Sequence, residues 1–458
     1  MSKRVDLLEG PILPSLSALA FPIMATSLIQ MAYNLTDMIW IGRIGSDAVA
    51  AVGAAGMYMW LSNGLATVAK TGGQVVVGQT LGAGNHERAV AHARTALQFG
   101  IVMGLLYGII ANLFVHPLIG FFKLNSAQVV ADAEVYFQIT CGGVVFSFLN
   151  QIFTGIMTAM GNSKTSFLAT AIGLVINIIL DPVLIFGVGP FPEMGVAGAA
   201  IATVLAQVIV TGVFLLYAVR DDVIFRHVHI FSGIDWKSFE EITKIGIPVG
   251  VQSMIFTSIS MVIARLIAGF GDAAVAVQKV GSQIESISWM TAEGFGAAVN
   301  AFMAQNHGAG NRERIVKGYK ISIGIEILWG IFCTFVLIVF PEAIFRIFIP
   351  EADVLPMGVD YLKILGVSQL FMCIELTTAG AFSGLGKTIP PSVTSIVLTA
   401  ARIPMAYALT ATALGLNGVW WSITISSILK GVGLTSWFLI YLNRRLHSDQ
   451  DKCFESKF

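Results

Sequence analysis

Charge is what this 458-residue sequence has least of. Asp, Glu, Lys and Arg make up only 12% of it, about half of what a soluble globular chain carries. Its 27 basic and 27 acidic residues cancel, so no basic surface is offered to nucleic acid. Cysteine is also scarce. Cys141, Cys333 and Cys373 lie in apolar segments and Cys453 in the tail; none has CxxC or metal-ligand spacing, and packing is the reading for them. No HExxH, GxSxG or comparable catalytic pattern occurs, so the chain is read as not an enzyme and as needing no cofactor. No repeated filter-like sequence suggests a channel. Strands of alternating polarity are absent, which excludes a transmembrane barrel. The opening "MSKRVDLLEG" is basic and runs into a long apolar segment with no A-x-A site, the pattern of an uncleaved first span.

What the sequence does have is hydrophobic length. It is 55% hydrophobic, with a mean hydropathy of +0.79, and several apolar runs exceed the roughly 20 residues that cross a bilayer as a helix. Twelve spans are expected, near 14–40, 48–78, 91–115, 129–157, 165–189, 195–219, 243–269, 274–304, 317–340, 358–383, 391–414 and 417–442. The longest hydrophilic connection, Arg220 to Lys244, falls between the sixth and seventh. This divides the chain into an N-terminal lobe (1–219), a linker (220–242), a C-terminal lobe (243–442) and a tail (443–458). The loops on the side of the termini, with the termini, hold about 18 of the 27 Lys and Arg residues, which by the positive-inside rule puts both termini in the cytoplasm.

The two lobes repeat one another. "GQTLGAGNHERAV" at Gly78–Val90 and "AQNHGAGNRERIV" at Ala304–Val316 match at eight of thirteen positions. A shift of 226 residues also puts Pro22 on Pro248 and Gly45 on Gly271; after a small slip, Pro182 falls on Pro404 and Gly195 on Gly418. Six spans per lobe is an even number, so both lobes insert the same way up. The expected fold is therefore an all-α polytopic membrane protein. Its twelve transmembrane helices form two parallel, pseudo-twofold-related six-helix lobes around a central cavity, where transporters place substrate. Within the repeated motif, Glu87/Arg88 and Glu313/Arg314 are expected at helix starts.

Ionisable residues at bilayer depth are functional candidates, since each costs about 2.5–3.5 kcal/mol on insertion scales. The N-terminal lobe holds Asp37, Lys70 and Asp181; the C-terminal lobe holds Arg265, Lys279, Glu285, Glu293, Glu326, Glu375, Arg402 and Lys430. Asp37 aligns with Ile263 and Asp181 with Ile403. A scaffold requirement would appear in both copies, so this asymmetry favours a functional site in the N-terminal lobe. Asn177 lies one helical turn before Asp181, and Tyr33 and Asn34 one turn before Asp37. Thr203 can add a hydroxyl, and Pro22 and Pro182 can bend their spans as hinges. Two carboxylates, an amide and hydroxyls make an oxygen-rich nest for a proton or a monovalent cation. The alternative is that Lys70 or backbone groups at helix kinks satisfy the two acids. Among the C-terminal charges, Lys279 can pair with Glu285 or Glu293. Phe153, Trp60 and Tyr136 are candidate walls for flat organic cations.

The first-span "NLTDMIWIG", "GQTLGAGN", "NIILDP" and "GVAGAAIATV", in this order and spacing, resemble the multidrug and toxic compound extrusion transporters over almost the whole chain. The acidic N-terminal lobe is most similar to their DinF-like branch. The resemblance implies a plasma-membrane (inner-membrane) antiporter, working as a monomer in the lipid bilayer, that expels small organic cations or amphiphiles. Protons are preferred to sodium as the driving ion. It implies ion coupling at Asp37, Asn177, Asp181 and Thr203, and pocket positions at Gln30, Tyr33, Tyr136 and Asn150. The seventh-span acid of the NorM branch has no counterpart in "GVQSMIFTSIS", and Glu375 is near the tenth-span acid position of that branch without matching it. The rival reading is a flippase for lipid-linked precursors, which would need a strongly basic cavity.

Overall fold

Glycine and asparagine decide where the helices begin and end. Asn85 Oδ1 accepts the Arg88 N–H at 3.0 Å and opens one helix; Asn162 Oδ1 accepts the Thr165 N–H at 3.4 Å and opens another. Gly84 and Gly310, the middle glycines of the repeated motif, have φ of +72° and +71°, a left-handed conformation that other residues resist. Glu87 and Glu313 lie in the first turns that follow.

The computed structural model describes residues 4–122, 124, 126–349, 351 and 353–455, without the side chains of 35, 46, 272 and 444–455. The expected tail, 443–458, thus lies largely outside the described side chains. The first half holds α1 (Ile12–Ile44), α2 (Ser46–Gly82), α3 (His86–Leu113), α4 (Val115–Gly120), α5 (Ala127–Gly142), α6 (Val144–Ala159), α7 (Ser163–Phe186) and α8 (Gly195–Val219). A 3-10 turn at Phe225–His227 lies in the linker. The second half holds α9 (Trp236–Ala268), α10 (Asp272–Gly308), α11 (Arg312–Val339), α12 (Pro341–Arg346), α13 (Leu355–Gly366), α14 (Gln369–Gly384), α15 (Ile389–Ala400), α16 (Arg402–Thr410) and α17 (Leu416–Glu455). There is no strand among the described residues, and the chain is an all-α polytopic membrane protein.

The repeat is visible in the helices. α1 and α9 have 33 residues each, α2 and α10 have 37, and α3 and α11 have 28. The fourth expected span is bent by 47° between α5 and α6, and the tenth by 45° between α13 and α14. Among the described residues, eight helices are long and apolar enough to cross a membrane, ten if each bent pair is one span. The remaining two expected spans, α2 and α10, fall short in hydropathy because glycine and small polar residues interrupt them. Pro22 and Pro182, expected as hinges, lie inside α1 and α7, which run continuously through them. One missing N–H is tolerated in a membrane helix whose neighbours support it.

The chain divides into two compact units. One runs to Gly250 and takes in Gly308–Gly310; the other holds Val251–His307 and everything from Asn311 on. In the N-terminal unit, α1, α7 and α8 pack on one another, and α2, α3, α5 and α6 form a second group that meets α8 through α5 and α6. Gly198 lies against the Leu184 carbonyl, where a Cβ would collide, so α7 and α8 approach closely. One apolar core gathers Phe153, Ile156, Phe214 and Phe225; a second gathers Ile41, Tyr136, Phe137, Ile185 and Ala199. The start of the chain is strapped across this unit. The Val5 N–H donates to the Gly161 carbonyl at 3.0 Å, Arg4 pairs with Asp221, and Leu7 is buried. The other carboxylate oxygen of Asp221 accepts the Ile224 and Phe225 N–H groups, each at 3.0 Å.

In the C-terminal unit, α17 packs on α13, α14, α15 and α16, and α11 on α13 and α14. One core joins Val277, Phe345, Tyr361, Leu365 and Trp420. Another joins Ile259, Ile263, Ile267, Ala406 and Val419, with Ile403 against it.

Candidate functional site

Three helices of the N-terminal unit converge on a polar nest. α1 supplies Tyr33 and Asp37, one turn apart; α7 supplies Asn177 and Asp181, likewise one turn apart; α8 supplies Thr203. Tyr136 reaches the same place from α5, within the electrostatic range of Asp37, Asp181 and Tyr33 and beside Thr203. Asn177 and Asp181 are fully buried, and the Asn177 Nδ2 amide donates to Asp181 Oδ1 at 3.1 Å. Asp37 is half-buried. The two carboxylates are close enough to repel one another.

The nest has more acceptors than donors. Tyr33 Oη, Asp37 Oδ1, Asn177 Oδ1, Asp181 Oδ2 and Thr203 Oγ are all buried without a hydrogen-bond partner. Thr203 stands next to the Tyr33 and Tyr136 phenols, but neither Thr203 nor Tyr33 makes a well-directed hydrogen bond. Buried polar atoms are normally paired, and each orphan costs about 1–3 kcal/mol. These five orphan oxygens, one from each carboxylate and three from their neighbours, form a set that a bound proton or a hard monovalent cation would complete. Lys70 does not fill this role: no ion pair joins it to either acid among the described residues, and its stem packs on Gly155. No cluster of three or more His, Cys, Asp or Glu exists among the described residues, so a thiolate or imidazole metal centre is not what the nest resembles.

Other expected site residues fall elsewhere. Gln30 and Asn34 share the α1 stripe with Asp37 but are exposed. Asn150 is taken up by α8: its Nδ2 donates to the Gln207 carbonyl at 3.0 Å and to Gln207 Oε1 at 2.8 Å, and its Oδ1 accepts the Thr211 hydroxyl at 2.8 Å. Phe153 stacks on Phe214 at 5.3 Å and is only 2% exposed, inside an apolar core. Neither belongs to the nest, because α6 turns both toward α8 and the linker. Phe153 does form the floor of an open groove of about 430 Å³ shared with Leu97, Leu215, Val219 and Arg226. Trp60 is exposed on α2.

The C-terminal charges are arranged by contacts between spans. Glu285 does not pair with Lys279; its Oε1 accepts the Tyr361 hydroxyl at 2.7 Å and its Oε2 the Gln369 amide at 3.3 Å. Lys430 Nζ lies 3.0 Å from Glu375 Oε1, both buried. Arg402 Nε donates to Ser426 Oγ at 2.5 Å and Nη2 to Ser427 Oγ at 3.1 Å. Glu326 is buried on α11 with Oε2 unpartnered. Arg265, Lys279 and Glu293 are exposed. Gln207, Tyr361, Gln369, Ser426 and Ser427 carry these networks, and single-sequence reading missed them; the repeat register is the signal that finds several of them. The positions aligned with Asp37 and Asp181, Ile263 and Ile403, lie in one hydrocarbon cluster. The fold brings the two positions together in both units, but only the N-terminal unit fills them with acids.

Comparison with known proteins identifies the family and the fold. A family model described as MatE matches the chain twice, over residues 22–183 and 248–408, two copies whose starts repeat the offset seen in the sequence. A Thermotoga maritima protein named "Probable multidrug resistance protein NorM" is 27% identical over 427 residues, 92% of this chain and 91% of its own length. The Staphylococcus aureus (strain MSSA476) "Multidrug export protein MepA" is 23% identical over 452 residues, 98% of each. A solved structure described as "Crystal structure of MATE in complex with MaL6" superposes with a TM-score of 0.90 at 23% identity, covering 97% of this chain and 99% of that one, and so shares the fold.

Proposed function

The chain belongs to the MatE family of multi-pass membrane transporters, and from that premise we propose that it is an antiporter that expels cationic or amphiphilic organic compounds in exchange for an inward ion, a proton before sodium. Relatives named for multidrug resistance and multidrug export support drug extrusion, and the acidic nest supports a preference for cations. The observation that carries the coupling is the nest of five unpartnered oxygens around Asp37 and Asp181.

Exchange proceeds by competition. With Asp37 ionised, the N-terminal unit attracts a cationic compound. Arrival of a proton, or of sodium held by Asp37, Asn177, Asp181 and Thr203, removes that attraction and the compound leaves. The ion then departs on the other side and restores the charge. Coupling requires that ion and compound prefer different states of the protein, since equal preference shifts nothing. The protein works as a monomer in the inner membrane with both termini cytoplasmic.

The test is ethidium efflux from proteoliposomes driven first by a pH gradient alone and then by a sodium gradient alone. Wild type is expected to respond to the pH gradient. Asp37→Asn is expected to lose gradient-driven efflux while eluting as a monodisperse, folded protein. Full efflux by that variant overturns the assignment of Asp37. A response to sodium alone moves the coupling ion to sodium.

A further inference from the structure

The C-terminal unit carries the N-terminal nest with its charge reversed. In the register that puts Pro182 on Pro404 and Gly195 on Gly418, Asn177 corresponds to Thr399, Asp181 to Ile403 and Thr203 to Ser426. The acids are gone, and a guanidinium enters from the next residue, Arg402, at the break between α15 and α16. It donates to Ser426, the counterpart of Thr203, and to Ser427. The Thr399 hydroxyl, one turn before Arg402, is buried without a partner, as the oxygen of its counterpart Asn177 is.

Arg402 is 8% exposed, yet no carboxylate lies within ion-pair distance of it among the described residues. Glu375 and Glu285 attract it from farther off, but each is already engaged: Glu375 with Lys430, Glu285 with Tyr361 and Gln369. Two hydroxyls use two of the five N–H bonds that a guanidinium offers. Among the described residues, the Nη1 amino group and one N–H of Nη2 have no acceptor. Its carbon lies 5.8 Å from the centre of the Phe256 ring, which is 44% exposed, so an apolar wall stands beside the free donors. A desolvated guanidinium with spare donors in a forked array matches an oxyanion, which it binds in a bidentate, charge-assisted way.

We propose that Arg402, with Ser426, Ser427 and Thr399 around it, is a binding site for an oxyanion carried on an apolar body, such as the carboxylate of an amphiphilic organic acid. Glu285, and Glu375 with its partner Lys430, border the site from farther off. The site belongs to the C-terminal unit alone and stands whether or not Asp37 couples transport. The oxyanion can come from a dissolved amphiphile or from an anionic lipid headgroup.

The experiment is equilibrium binding of radiolabelled cholate, as carboxylate probe, and of ethidium, as cation probe, to the full chain in phosphatidylcholine nanodiscs, with empty nanodiscs subtracted. Wild type is expected to bind cholate saturably. Arg402→Gln is expected to weaken cholate by at least about tenfold, the scale of one charge-assisted contact, with ethidium binding within about twofold of wild type. Arg402→Lys keeps the charge without the fork and should fall between. Should Arg402→Gln fail to fold, the Ser426→Ala/Ser427→Ala variant takes its place, with a loss of about threefold expected from releasing the guanidinium. Unsaturable cholate binding by wild type, unchanged cholate binding in Arg402→Gln, or equal loss of both probes overturns the site. Replacing part of the lipid with phosphatidylglycerol separates the sources. Displacement of cholate assigns the oxyanion to lipid, and undisturbed binding assigns it to a dissolved acid; both support the site.

Discussion

One inter-helix link, built twice, separates the two units. In the register of Gly161 and Gly386, Asn150 corresponds to Glu375; in that of Gly195 and Gly418, Gln207 corresponds to Lys430. Between α6 and α8 the N-terminal unit therefore places an amide pair, at 2.8 Å. Between α14 and α17 the C-terminal unit places an ion pair, at 3.0 Å. The geometry is kept while the charge is changed. The same exchange runs through the nest, where Ile263 and Ile403 of the C-terminal unit take the places of Asp37 and Asp181. At this link the N-terminal unit holds its helices with neutral groups, and the nest acids Asp37 and Asp181 make no ion pair among the described residues. The C-terminal unit uses charges to hold its helices and leaves hydrocarbon where the acids would be. A carboxylate that must gain and lose a cation cannot also be locked in a salt bridge, so a division between holding and exchanging groups is what an exchange site requires.

The comparison breaks most sharply at Lys430. Lys430→Ala strands Glu375 in the interior and is expected to lower stability by about 3–5 kcal/mol, as removal of one partner of a buried pair does, read as thermal unfolding in detergent. The double change Glu375→Asn/Lys430→Gln copies the amide link of the other unit; most of the loss should be absent, leaving the protein within about 1 kcal/mol of wild type, since neutral replacement of a whole buried pair is often tolerated. If the double variant is as unstable as the single one, the two links are not equivalent. Next in size is Asn150→Ala, which strands Gln207 and Thr211; about 1–3 kcal/mol is expected by the same unfolding measurement, with ethidium binding unaffected because Asn150 is outside the nest. An effect on binding alone would return Asn150 to the pocket.

The smallest effect concerns how each half begins. α1 starts at Pro11 with no side-chain cap. α9 follows Asp235, whose carboxylate accepts the Ser238 hydroxyl at 2.7 Å and the Lys237 N–H at 3.2 Å. The Ser238 hydroxyl, helped by backbone N–H groups and Arg88, holds this carboxyl below the usual carboxylate range. A depressed folded value means the cap stabilises above the unfolded pKa of about 3.9 and is lost as pH falls through the folded value. Asp235→Ala should therefore lower stability by about 1 kcal/mol at neutral pH, and the gap between variant and wild type should close in acid. A gap independent of pH would mean that the charge is not what matters.

The parts of the molecule that were legible in sequence are those set by local pattern. Apolar length marks the spans, and the repeated glycine motif marks the halves. Asp37 and Asp181 stand out because carboxylates in hydrocarbon are expensive and because their partners in the repeat are isoleucines. Packing direction was not legible. Asn150 and Phe153 have the chemistry of pocket residues, but which way α6 faces depends on how it meets α8, and no spacing within α6 records that. The pairing of Lys279 with Glu285 rested on proximity along one helix; the actual partners, Tyr361 and Gln369, come from other spans. Gln207 gave no signal because a single amide in an apolar helix looks ordinary until it is set against Lys430.

The strap at the start of the chain has a consequence for biosynthesis. Arg4 and Val5 are made long before their partners Gly161 and Asp221, which emerge only once the fourth and sixth spans have been translated. The N-terminal half can close on itself only when its final span is complete, just as the linker leaves the ribosome. A bulky fusion ahead of Arg4 would sit on that closure and slow it.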